Sequence, residues 1–143
     1  MKSAVDFINE KTNNFKPATG IILGSGLGDF ADEFDAIRVP YGDIPGFAPS
    51  KVVGHKGLLV FAEVAGKPVV MMQGRFHFYE GHSMQTVTYP IKVMKKLGVQ
   101  NLIVTNAAGL VHKEFAPGDL MLISDHINMM GTNPLIGAND DEM

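Results

Sequence analysis

The chain has 143 residues, with 12 lysines and arginines against 15 aspartates and glutamates, and no cysteine. That length fits one domain with a sizeable core, and the net charge of −3 comes with no basic patch, so nucleic acid is excluded as an expected partner. Without cysteine there are no disulfides, no thiolate metal sites and no thiol nucleophile.

No apolar run approaches the ~20 residues of a membrane span. Met1–Glu10 lacks the continuous apolar core of a signal peptide, so a cytoplasmic location and no membrane partner are expected. Residues 3–14 read as a helix with Val5 and Ile8 on one face, ended by Pro17. Thr19–Leu23 is too short and too apolar for an amphipathic helix and reads as a buried strand. Asp29–Phe34 reads as a short helix and Ile37–Tyr41 as a short strand, followed by a Pro- and Gly-rich loop over 42–54. Gly57–Val64 and Pro68–Gln73 read as a hairpin about Ala65-Gly66-Lys67. Ser83 is placed to cap a helix carrying Met84, Val87, Ile91 and Met94 on one face, with Gly98 as its stop. Pro90 inside that pattern predicts a kink or a break. Asn101–Thr105 and Asp119–Ser124 read as further strands. Strands alternate with helices while the hairpin interrupts a purely parallel order, so an α/β fold with a mixed sheet flanked by helices is expected.

Four polar segments border these strands. Gly24-Ser25-Gly26-Leu27-Gly28 follows an apolar run and precedes a helix start. It reads either as a tight turn or as a cradle of backbone N–H groups for an anion, with Ser25 adding a hydroxyl. Its spacing matches neither the dinucleotide fingerprint nor the triphosphate loop. Gly54-His55-Lys56-Gly57 leads into a strand, and His55 reads as an exposed loop residue or as a ligand-facing one. Gln73-Gly74-Arg75-Phe76-His77-Phe78-Tyr79-Glu80-Gly81 packs a guanidinium, an imidazole, a phenol and a carboxylate between glycines. Arg75 reads as a partner of Glu80 at the surface or as a planar fork for phosphate, with Glu80 orienting it. In an extended loop the Arg-x-His spacing turns Arg75 and His77 to one side, with Phe76 and Phe78 packing on the other. Thr105-Asn106-Ala107-Ala108-Gly109 is small enough for close strand–helix packing or for a ligand to approach its backbone. No His, Asp or Glu cluster has metal-ligand spacing and no nucleophile elbow is present, so no metal is expected.

This set of segments, in this order and followed by Asp125-His126-Ile127-Asn128, resembles the trimeric purine nucleoside phosphorylase family over about Ile21–Asp141. The resemblance implies phosphorolysis of purine (deoxy)ribonucleosides to free base and (deoxy)ribose 1-phosphate, with inorganic phosphate as co-substrate and no cofactor. It makes Ser25, His55, Arg75, His77 and the Ala107 amide phosphate ligands, with Arg75 and His77 catalytic. It makes Tyr79 a ribose contact and sets Asn106 beside the nucleoside. Leu110 stands where many relatives carry a second glycine. Members of the family continue well past the position of Met143 and hold their purine-recognising residues there. Residues 1–143 are therefore expected to be the N-terminal part of one nucleoside phosphorylase domain, incomplete at its C-terminal end and poorly active alone. The resemblance also implies a homotrimer. A relative acting on methylthioadenosine, or an inactive fragment retaining only the phosphate site, are the other readings.

Overall fold

The structure is a computed structural model, and it describes residues 3–48 and 56–139. Helix α1 (Ala4–Lys11) starts at a reciprocal cap, in which Ser3 Oγ accepts from the Asp6 amide at 3.1 Å and Asp6 answers through its carboxylate. Five strands follow: β1 (Thr19–Leu23), β2 (Ala36–Pro40), β3 (Leu58–Val64), β4 (Lys67–Gln73) and β5 (Asn101–Val104). Helix α2 (Met84–Leu97) lies between β4 and β5, capped by Ser83 and closed by Gly98 at φ 110°. These bounds agree with the expected elements to within a few residues.

The strands form one sheet in the order β2-β3-β4-β1-β5. The pairs β2–β3 and β3–β4 are antiparallel, whereas β1 runs parallel to both β4 and β5. The mixed sheet is thus as expected. The β3–β4 hairpin closes in two residues, because Val64 pairs with Lys67 while Ala65 and Gly66 both take positive φ, 49° and 71°. Two consecutive positive φ values match the right-handed twist of the flanking strands.

Both faces of the sheet are covered, and the period of two shows it. Leu59, Phe61, Val70, Met72 and Ile22 pack with Ile8, Val93, Met94 and Leu97 of the two helices. The alternate residues Val60, Ala62, Val69, Met71 and Leu23 pack under Ala31 and Phe34. Those last two belong to the segment after β1, where the expected short helix is a 3-10 helix over Gly28–Glu33.

One expectation fails in part and one outright. Of the kink or break expected at Pro90, the break does not occur: helix α2 continues through Pro90, which is buried, so tertiary packing outweighs one lost backbone hydrogen bond. Asp119–Ser124 forms no strand. Its apolar residues Leu120 and Leu122 lie more than 90% exposed, with no neighbouring strand to pair with among the described residues. Strand β5 is an edge of the sheet, and its Ile103 and Val104 are 50% and 60% exposed.

Candidate functional site

The parallel trio β4-β1-β5 aligns three carboxyl ends. Leu23 stands opposite Gln73, and Ile22 opposite Val104, so the chain leaves β1, β4 and β5 at one edge of the sheet. The loop after β1 carries Ser25, the loop after β4 carries Arg75 and His77, and the loop after β5 carries Asn106 and Ala107. Open α/β sheets bind their ligands at this edge.

Side chains lock the three loops together. Thr105 Oγ1 accepts from the Gly24 amide at 2.8 Å and donates to the Ile22 carbonyl at 2.9 Å, tying the β5 loop to the β1 loop. Arg75 Nη1 donates to the Thr105 carbonyl at 2.9 Å, tying in the β4 loop. A side chain at position 24 would meet Thr105 O, Arg75 Nη1 and the Asn106 Cα at 2.5, 2.8 and 2.9 Å, so only glycine fits where the loops converge.

Arg75 and His77 do lie on one side of their loop. Arg75 Nε donates to His77 Nε2 at 3.0 Å. Phe76 points the other way into the core and packs on Tyr41, with ring centroids 5.3 Å apart. The Tyr41 hydroxyl donates to the Gly74 carbonyl at 2.5 Å. Burial pushes that hydroxyl far above the usual tyrosine range, which keeps it a neutral donor. Gly74 turns at φ 105°, a conformation that favours glycine, and this turn aims Arg75 toward the β5 loop.

Glu80 does not orient Arg75. Its Oε1 accepts from the His77 amide at 2.9 Å and pairs with His77 Nδ1, so its partner is the imidazole. His82 Nε2 approaches the other carboxylate oxygen at 3.8 Å. With Nδ1 facing the carboxylate and Nε2 accepting from Arg75, the ring's tautomer and plane are both set. Tyr79 stacks on that ring at 4.7 Å and 18° while remaining 80% exposed. Phe78, expected to pack, is 43% exposed, because the 3-10 turn Phe78–Glu80 ends the strand-like alternation.

Ser25 and Ala107 are exposed at the same edge, and Asn106 is exposed with its amide donating to the Ala107 carbonyl at 3.3 Å. His55 lies outside the described residues. Thr105, Gln73 and Asp32, which bind the loops to one another, were not singled out in the sequence. A hydroxyl or amide closing an apolar strand, as in Leu102-Ile103-Val104-Thr105 and Val70-Met71-Met72-Gln73, is the signal that marks two of them.

The His77–Glu80 pair makes the turn sensitive to acid. Burial works to raise the Glu80 carboxyl. Hydrogen bonds from the His77 ring and amide, with charge from His77 and His82, outweigh it and hold the group below its ordinary value of 4.5. A depressed folded value stabilises the turn fully above about pH 4.5, and this support is lost as pH falls through the folded value. A transition of the His77 backbone amide resonance is therefore expected below the ordinary glutamate range, as Glu80 takes up its proton. Glu80→Gln should abolish that acid transition. An identical transition in Glu80→Gln would contradict the pairing.

A sheet edge of this kind defines an α/β ligand-binding fold in which converging loops, not a single motif, make the site. The chain belongs to the phosphorylase superfamily, whose family model matches residues 18–142. It is 58% identical over its whole length to purine nucleoside phosphorylase 1 of Geobacillus stearothermophilus, covering 52% of that protein. It is 61% identical over 87% of its length to purine nucleoside phosphorylase 1 of Bacillus subtilis, covering 46% of that protein. Among solved structures, isoform 2 of purine nucleoside phosphorylase from Schistosoma mansoni, in complex with cytosine and ribose-1-phosphate, superposes with a TM-score of 0.87 at 45% identity. That match covers 97% of this chain and 50% of the other. A schistosome purine nucleoside phosphorylase in complex with hypoxanthine matches with a TM-score of 0.83 at 42% identity. The chain spans about half the length of the relatives it matches.

Proposed function

We propose that this chain supplies the phosphate-binding half of a purine nucleoside phosphorylase, which cleaves purine (deoxy)ribonucleosides with inorganic phosphate. The observation that carries the reading is the meeting of the Ser25, Arg75–His77 and Thr105–Ala107 loops at the carboxyl edge of β1, β4 and β5. Similarity to purine nucleoside phosphorylases over the whole chain supports it.

Arg75 and His77 are the catalytic pair, and the chemistry asks for these groups. Breaking an N-glycosidic bond builds positive charge on the sugar. A phosphate held below the ring stabilises that charge, then bonds to C1′ as the base departs with the bonding electrons. A guanidinium fixed in plane by Thr105 and His77 suits phosphate oxygens, and needs no reorganisation when the ligand arrives. The Ser25 hydroxyl, the Ala107 amide and His55 complete the phosphate ligands. His77 joins them, its ring held in place through Nδ1 by the Glu80 carboxylate. Tyr79, stacked on His77 with its ring in solvent, forms a wall for the ribose, and Asn106 borders the nucleoside. The exposed face of β5 and the apolar residues after it support residues 1–143 as part of a larger domain. The family resemblance supports a cytoplasmic homotrimer.

The test compares residues 1–143 with the G. stearothermophilus relative. The chain is expected to bind inorganic phosphate but to cleave inosine far more slowly, since leaving-group assistance contributes strongly to such reactions. Failure to bind phosphate, or turnover equal to that of the relative, would overturn the reading.

A further inference from the structure

Gln73 closes β4, is 1% exposed, and lies in phase with Val69 and Met71 on the face covered by the 3-10 segment. A primary amide buried in such an apolar strand has to find hydrogen-bond partners. Gln73 Nε2 donates to the Gly28 carbonyl at 2.9 Å and to Asp32 Oδ1 at 3.0 Å. Asp32 Oδ2 in turn pairs with Lys56 Nζ, at the entry to β3. The Lys56 ammonium and then the Gln73 amide hold the Asp32 carboxyl below its ordinary range.

The placement is specific. The Gly24–Gly28 loop has three glycines, with no side chains there to fix it, and Gly26 turns at φ 82°. No side-chain cap closes the N-terminus of the 3-10 segment either. Thr105 grips the loop at its first residue, Gly24, and Gln73 grips it at its last, Gly28. Gln73 also immediately precedes Gly74 and Arg75. One buried amide thereby sets the distance between the Ser25 loop and the Arg75 loop. The cleft between them is lined by Ser25, Gly26, Lys56, Gln73 and Gly74.

We infer that Gln73, backed by Asp32 and Lys56, is a positioning residue that clamps the glycine loop to the arginine loop at the spacing a tetrahedral oxyanion needs. This rests on the phosphate-site reading, and deepens it by assigning the link between its two halves. Loss of the clamp frees Gly28 and its neighbours, so the Ser25 donors no longer meet the anion together with Arg75.

The test uses the 143-residue chain with Gln73→Met, which keeps the side chain's length, and Gln73→Glu, which sets a carboxylate against the Gly28 carbonyl and Asp32. Inorganic phosphate and sulfate are titrated by NMR, and exchange of the Leu27 and Phe30 amides is followed without anion. Those two amides donate within the loop, to Gly24 and Leu27. Gln73→Met should weaken both anions about fivefold and speed exchange at Leu27 and Phe30 severalfold, with the α1 and β3 amides unchanged. Gln73→Glu should be worse than Met at pH 8. It should recover relative to wild type at pH 5.5, where a protonated carboxyl can donate to Gly28. Among the described residues, Asp29, Asp32 and Glu33 on the 3-10 segment, with Arg38, Lys56 and Arg75 on its neighbours, are the charged groups around it, and comparison with wild type at each pH removes their common effect. Unchanged exchange in both variants would overturn the clamp. Faster exchange with unchanged anion affinity would overturn its role in the site. Faster exchange in a chain whose wild type binds neither anion would leave the clamp standing and count against the phosphate-site reading.

Discussion

Replacing Arg75 with alanine is expected to cut affinity for inorganic phosphate at least tenfold, or about 1.4 kcal/mol. The guanidinium donates to the Thr105 carbonyl on the β5 loop and to His77 Nε2 on its own loop. Its loss removes a fixed positive fork and also the bond that holds the β5 loop against the β4 loop. Hydrogen bonds to charged groups contribute about 1.5–3 kcal/mol each, so a loss nearer a hundredfold is within reach. Lysine should restore only part of the affinity, because a point charge on a flexible stem cannot hold the Thr105 carbonyl and His77 at once. Calorimetric titration with phosphate measures all three chains. Equal affinity in Arg75→Ala and wild type would remove Arg75 from the site.

Gly24→Ala should damage both folding and phosphate binding. The added methyl would sit 2.5 Å from the Thr105 carbonyl oxygen and 2.9 Å from the Asn106 Cα, both backbone atoms that cannot rotate away. It would also lie 2.8 Å from Arg75 Nη1. Overpacking of this kind costs about 1–3 kcal/mol, and two backbone contacts put this site at the upper end. At this chain length 3 kcal/mol lowers the melting temperature by roughly 6–12 °C. Gly28→Ala is the matched control, since a methyl there meets nothing within 4 Å. Gly28→Ala should melt like wild type and keep the clamp from Gln73, which uses the carbonyl alone. A Gly24→Ala chain that melts and binds phosphate like Gly28→Ala would show that the loops do not converge as described.

Much of this was legible in the sequence where local pattern and burial agree. Thr19–Leu23 was bounded to the residue, because a five-residue apolar run between polar segments has few other fates. The hairpin, the Ser83 cap and the Gly98 stop follow from residues with narrow conformational roles. The Arg75–His77 side-by-side arrangement followed from the period of two. Tertiary context decided the rest. Pro90 is tolerated because its ring is buried in a helix that packing holds in place. Asp119–Ser124 has a strand's composition but, among the described residues, no strand beside it to pair with. Glu80 was assigned to the wrong partner because spacing alone could not tell an arginine five residues earlier from a histidine three earlier. The 3-10 turn brings the histidine round to it. Thr105 and Gln73 went unnoticed because what they grip lies 81 and 45 residues away in the chain, a separation that no local pattern encodes.

The central claim is that three loops at one sheet edge form a single phosphate site. A crystal structure of residues 1–143 grown with phosphate or sulfate tests it most directly. One tetrahedral anion is expected within hydrogen-bond distance of the Ser25 hydroxyl, the Arg75 guanidinium, the His77 ring and the Ala107 amide. An anion bound elsewhere, or an edge that stays empty at saturating anion, would contradict it.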